Sequence, residues 1–333
     1  MTPVDPSTFR DYEAALNGAA YFPLSGAGYL RVGGADRQAY LQRQTTNDVS
    51  LLSPSRALVT VLTSPVAKIL DVLTLVSEAA SIGAITLPGR AGATFNHLRS
   101  RIFFMDKVTV EDASAEFLQI DLLGPRAQTV LLSLGFKHSL EPGEAQSGEV
   151  AGLPVQAIRA SEADYRLLVP TLQGDPVTAA LEQAGAARLS HESYSILRVE
   201  SGRPEAGHEL VEEYTPLEAG LAGAISENKG CYTGQEVIAR QITYDKVTRH
   251  LAGLILTGEV YPGDPVWSQE EERVAGTVTS AVNSPRFGHI ALAILRRPFL
   301  SPGTDLIVGD KERGVGATVA GLPFTASVPE NSP

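Results

Sequence analysis

The chain has 333 residues with 43% apolar and 20% charged residues, ordinary globular usage that accommodates a sizeable core and about two domains. Lys and Arg number 27 against 38 Asp and Glu, a net charge of −11. That balance disfavours wholesale binding to nucleic acid or to an anionic membrane. The one cysteine, Cys231, excludes an intrachain disulfide and a zinc site of paired thiolates. No run approaches the ~20 apolar residues of a spanning helix, and Met1 to Asp11 lacks the apolar core of a signal peptide. A soluble, cytoplasmic, mixed α/β protein is expected.

In chain order, the first patterned region is an apolar strand over Gly28 to Gly34, then helical spacing over Ala35 to Gln44. Arg56 to Leu62, Lys68 to Ser77 and Ser81 to Leu87 are rich in Val, Leu, Ile and Thr and predict a β-meander. A helix is expected over Ala91 to Phe104, then strands over Lys107 to Glu111 and Glu116 to Leu123. Two strand-then-helix units follow. Gly124 and Pro125 lead into a helix ending at Leu134, and the strand Tyr165 to Val169 precedes a helix over Asp175 to Ala184, closed by Gly185. Between the two, Glu141 to Gly148 is polar, contains Pro and Gly, and is expected to be a loop. Ser190 is placed to cap a helix that carries Ile196, Leu197 and Val199. From Arg249 onward, five or six short strands punctuated by turn residues fit a small barrel. The expected division is therefore 1–245, a barrel over 246–326, and a loose tail over 327–333.

Several motifs fail on mechanism. Gly26 and Gly28 are not followed by the helix a dinucleotide loop requires, and His208-Glu209 lacks a second histidine four residues after the first. The six histidines are scattered singly, and no metal site is expected. The informative segment is Lys229-Gly230-Cys231-Tyr232-Thr233-Gly234-Gln235-Glu236. Two glycines around the Cys-Tyr pair suit a tight, exposed turn, and a helix starts just after it. A thiol beside Lys229 and near a helix N-terminus is biased toward thiolate. Burial as a small hydrophobe is the competing reading.

This octapeptide resembles the signature of the YgfZ-type folate-binding proteins, relatives of the glycine cleavage T-protein. Leu41 to Val49, Leu123 to Ala127, Leu197 to Pro204, Gly207 to Leu210 and Thr215 to Gly220 resemble patterns shared by both groups, in the right order. The resemblance implies an α+β fold, three-lobed around a central channel, with mixed α/β lobes and a C-terminal β-barrel. It also implies non-covalent tetrahydrofolate binding and a supporting role in iron–sulfur cluster assembly or maintenance, and through cluster enzymes in tRNA modification. Iron–sulfur assembly or client proteins would be its partners, with no direct contact to nucleic acid or membrane. Cys231 and Lys229 are the candidate reactive pair. Glu200 is the candidate acceptor for the donor edge of the pterin, Asp71 a candidate for the folate amine, and Tyr232 for stacking. Arg240, Arg249 and Arg43 are candidates for the anionic glutamate tail. One departure bears on activity: T-proteins carry a Gly-rich Tyr-Thr-Gly-Glu turn where this chain reads Arg159 to Asp164, so the catalytic pattern is incomplete. A folate-dependent aminomethyltransferase or demethylase is the alternative. A non-catalytic adaptor that binds partners through its acidic surface is the third.

Overall fold

The computed structural model describes residues 6–161, 164–170, 174–269, 273–310 and 313–325; the expected 327–333 tail lies outside them. Two compact units divide the chain, one formed by 1–193 with 223–237, the other by 194–222 with 238–333. The second unit thus contains 194–222 as well as the barrel.

The first unit opens with two elements absent from the sequence expectation, helix α1 (Pro6–Asn17) and strand β1 (Ala19–Leu24). Next come β2 (Tyr29–Gly33), α2 (Arg37–Gln44), β3 (Leu58–Thr63), β4 (Ile69–Ser77), β5 (Ser81–Ile85), α3 (Ala91–Ser100) and β6 (Thr109–Asp112). β2 to β6 form one five-stranded sheet in the order β3-β4-β5-β2-β6. Along β4 buried residues alternate with half-buried ones, from Ile69 through Asp71 and Leu73 to Leu75, the period-2 signature of a strand with one face in the core. That face packs with Leu30, Tyr40, Leu41, Leu62 and Leu98.

A second sheet follows, made by β7 (Phe117–Leu123), α4 (Ala127–Ser133), β8 (Ala145–Val150), β9 (Leu153–Arg159), β10 (Asp164–Pro170), α5 (Gly174–Gln183) and β11 (Ala186–Arg188). Its strand order is β11-β1-β7-β10-β9-β8. Among the described residues of this sheet only β1 and β11 pair in parallel; β7 and β10, the strands of the two expected strand-then-helix units, are antiparallel neighbours. Ile120, Leu122, Leu167 and Val169 of these strands bury against Val130 and Leu131 of α4 and Leu181 of α5.

The expected loop over Glu141 to Gly148 is corrected: its second half is edge strand β8, paired with β9 from Ala145↔Ile158 to Val150↔Leu153. The hairpin turns at Ala151 and Gly152, both with positive φ, 52° and 77°, as a two-residue primed turn requires. Gln146, Ser147 and Glu149 carry little β propensity, and an edge strand tolerates them because only one side of it is paired. Of the Arg159 to Asp164 stretch, Glu162 and Ala163 lie outside the described residues; Ala160 N donates to Asp164 O at 2.8 Å.

Helix α6 (His191–Glu200) and helix α7 (Gln235–Thr243) come next. The Ser190 hydroxyl accepts from Ser193 N at 3.2 Å, the expected N-cap. The barrel consists of β12 (Arg249–Leu256), β13 (Pro265–Ser268), β14 (Val274–Ser284), β15 (Gly288–Arg296), β16 (Asp305–Val308) and β17 (Val315–Ala320). It closes in the order β12-β15-β14-β13-β16-β17 around Leu254, Val266, Ala293, Leu295, Leu306 and Val319. The fold is therefore mixed α/β lobes plus a closed six-stranded C-terminal barrel. No helix among the described residues is long and apolar enough to cross a membrane.

Candidate functional site

The stretch from Ala224 to Gly234 lies against the Thr45–Asn47 stretch that follows α2. Thr46 is fully buried; its hydroxyl donates to Ala224 O at 2.6 Å, and its carbonyl accepts from Ser226 N at 3.0 Å. The Lys229 ammonium, nearly buried, donates to the carbonyls of Thr45 at 2.7 Å and Asn47 at 2.6 Å. It also sits 5.2 Å from the centre of the Tyr232 ring, a cation–π distance. Desolvation pulls its pKa down to about 8, with the nearby Asp48 charge opposing. Lys229 thus fastens the turn to the lobe through two backbone acceptors.

The turn ends at Gly234. Its φ is +83°, and a Cβ there would stand 2.7 Å from Ser64 O, so both backbone conformation and space demand glycine. The Thr63 hydroxyl donates to Thr233 O at 2.6 Å, and Gln235 N reaches Tyr232 O at 3.2 Å as α7 begins. Tyr232 is buried, and burial pushes its phenol up to about 12. Cys231, one residue earlier, is exposed. Lys229 and Tyr232 are therefore buried, and Gly230 and Cys231 between them are exposed.

Asp71 lies in the middle of β4 with 0% of its surface exposed. Its Oδ1 accepts from Val72 N at 2.8 Å and Leu87 N at 3.1 Å, and its Oδ2 from the Thr94 hydroxyl at 2.5 Å. Burial outweighs these bonds and lifts its pKa to about 6. The carboxyl fixes the connection between β5 and α3. In this packing a ligand reaches Asp71 only if Leu87 or Thr94 moves.

In the second unit, Glu200 at the end of α6 is 5% exposed, so it is not the solvated helical charge its position next to Arg198 suggests. Oε1 accepts from the Ser284 hydroxyl at 2.5 Å, and Arg286 Nη1 stands 3.7 Å from Oε2. Sequence reading did not anticipate the cluster beside it. Buried Arg198 donates to Glu209 Oε2 at 3.3 Å and to the Ser280 hydroxyl at 2.9 Å, while that hydroxyl donates to Glu209 Oε1 at 2.7 Å. The Leu197–Pro204 and Gly207–Leu210 stretches meet on the barrel through these three side chains. The sequence signal for it is Arg198 itself, a charge set among Ile196, Leu197 and Val199.

The tail candidates differ in their surroundings. Arg43 pairs with Asp106 at 2.8 Å, and Arg249 pairs with Glu218 at 2.8 Å. Arg240 is exposed on α7. For tetrahydrofolate, the chemistry needed is an acceptor set for the pterin's N–H edge and cations for its carboxylates. Within the second unit, Glu200 carries carboxylate oxygens and Arg240 an exposed guanidinium, the group types this chemistry calls for. The donor and acceptor types fit. Among the described residues no group of three His, Cys, Asp or Glu side chains is placed to hold a metal ion.

The sequence matches the model of the GCVT N-terminal domain over residues 2–229 and that of the glycine cleavage T-protein C-terminal barrel domain over 249–325. The chain belongs to the glycine cleavage T-protein family. Within it, a chloroplastic protein of Arabidopsis thaliana, provisionally named a transferase, is 30% identical over 94% of this chain and 73% of its own length. An aminomethyltransferase of Listeria monocytogenes is 27% identical over 94% of this chain and 88% of its own length, and one of Cutibacterium acnes is 28% identical over 96% and 90%. The crystal structure of the Bartonella henselae glycine cleavage aminomethyltransferase T superposes with a TM-score of 0.84 at 20% identity, covering 96% of this chain and 89% of that one. This last likeness shows the T-protein fold. The family is aminomethyltransferase-like.

Proposed function

We propose that this T-protein family member binds tetrahydrofolate and works through the Cys231 thiol, in support of iron–sulfur cluster assembly or maintenance. One observation carries the reading. The side chain left at the surface is the thiol, held out by a turn that Lys229 and Gly234 lock in place, whereas the Asp71 carboxyl is sealed. The likeness of Lys229 to Glu236 to the YgfZ-type signature points the same way. Bound tetrahydrofolate would supply one-carbon carrier chemistry; Glu200 would hold its donor edge, and Arg240 its carboxylates.

A second reading, a folate-dependent aminomethyltransferase, is favoured by the relatives named aminomethyltransferase, which align over nearly the whole chain. One measurement tests both readings and two separate them. Calorimetric titration of the reduced protein with tetrahydrofolate under anaerobic conditions should show saturable one-to-one binding; its absence from folded protein removes both readings. Cys231→Ser should keep the fold but fail to restore iron–sulfur enzyme activity in a strain lacking the protein. Full restoration by that variant, or methylenetetrahydrofolate formation from an aminomethyl donor, would put the second reading first.

A further inference from the structure

The barrel contains a like-charge pair that the preceding reading does not use. The antiparallel register of β12 and β15 sets Arg249 directly opposite Arg296. Side chains paired in this way stand on one face with Cβ atoms about 4.5–5.5 Å apart, where like charges destabilise the ladder. Arg297 N donates to Thr248 O at 2.9 Å, which brings a third guanidinium to the same corner. A cleft of about 840 Å³ opens there, and Lys246 and Arg273 also line it. Five cations thus share the cleft with two carboxylates, Glu218 and Asp245, in a chain of net charge −11.

Both carboxylates are engaged, Glu218 by Arg249 at 2.8 Å and Asp245 by Arg297. The side chain of Arg296 makes no hydrogen bond or ion pair among the described residues, and Lys246 only rides 5.3 Å from the ring of Tyr244. Glu270 to Glu272, next to Arg273 in the chain, lie outside the described residues. An unneutralised guanidinium facing a second one across a ladder is a cost that an anion lying between them would remove. The guanidinium fork matches the paired oxygens of phosphate and carboxylate. The cleft has the size of a small-molecule site, and buried Phe299 in its wall gives an organic body an apolar surface. We propose that this cleft binds a small organic oligoanion carrying at least two phosphate or carboxylate groups.

The test is calorimetric titration of the full chain, at roughly 0.1 M salt to screen loose surface attraction, with inorganic pyrophosphate and separately with citrate. At least one should saturate at one per chain, and Arg296→Gln should weaken it roughly tenfold, the worth of one charge-assisted bond. Lys137→Ala, an exposed cation of the other unit, should leave binding unchanged. Saturation by pyrophosphate alone identifies a phosphate ligand, and by citrate alone a polycarboxylate. Without anion, Arg296→Gln should melt no lower than the natural chain, because repulsion across the ladder is relieved; added anion should raise the melting temperature of the natural chain more than that of the variant. Saturation by neither anion, equal weakening by Lys137→Ala, or a lower melting temperature of Arg296→Gln without anion would each overturn the proposal.

Discussion

The Lys229 ammonium donates to Asn47 O at 2.6 Å across 182 residues of sequence, so the glycine-flanked turn and the stretch after α2 are one structural unit. Replacing Lys229 by Met leaves the carbonyls of Thr45 and Asn47 without a donor in a nearly dry setting. The expected loss is about 1–3 kcal/mol, read as a lower urea midpoint at unchanged slope. An unchanged midpoint would show that the turn is held without the ammonium.

The same lysine predicts a pH signature. Its folded pKa, about 8, lies below the roughly 10.4 of an unfolded chain. Between those values the unfolded state holds more protons, so stability rises with pH. The cost of burying the charge is full below about 8 and is relieved on approaching the unfolded value. The stability of the natural chain relative to Lys229→Met should therefore increase from pH 8 to pH 10. A flat difference would contradict the buried ammonium.

Asp71 behaves in the opposite sense. Its folded pKa of about 6 exceeds the roughly 3.9 of an unfolded aspartate, so the folded state binds more protons between them and this residue's contribution falls as pH rises through that window. Asp71→Asn keeps an acceptor for Leu87 N and Val72 N and carries no charge. The natural chain should lose stability relative to Asp71→Asn between pH 4 and pH 6 in thermal melts. Asp71→Ala, which strands those donors and the Thr94 hydroxyl, should cost about 1–3 kcal/mol at pH 7.

Gly234→Ala meets Ser64 O at 2.7 Å in a left-handed backbone conformation. Strain of this kind costs of order 1–3 kcal/mol. The variant should melt lower and expose the turn to limited proteolysis at Cys231. Unaltered melting would mean that the turn has an alternative path.

Glu200→Gln preserves the acceptor for the Ser284 hydroxyl and removes only the charge. Tetrahydrofolate affinity should fall about tenfold, since charge-assisted bonds are roughly twice as strong as neutral ones, while the melting temperature changes little. Equal affinity would remove Glu200 from the folate contacts.

Much of this protein was legible in its residues. The alternation in Ile69 to Ser77, the turn residues around the barrel strands and the Cys231 octapeptide each gave local structure directly, because period-2 burial and glycine turns are properties of neighbours in the chain. β8 was not legible: Ala145 to Val150 is polar, and only pairing with β9 makes it a strand. The sequence by itself determined the family and the glycine turn around Cys231, while burial or exposure of the thiol was settled by the fold, which leaves it exposed. Tertiary structure decided the fate of the candidate charges. Lys229, read as a partner for the thiol, is taken by the carbonyls of Thr45 and Asn47; Asp71 and Glu200, read as free to face a ligand, are held by Thr94 and Ser284. A buried charge takes whatever partners the fold brings within about 3 Å, and those partners are tens to hundreds of residues away in the chain.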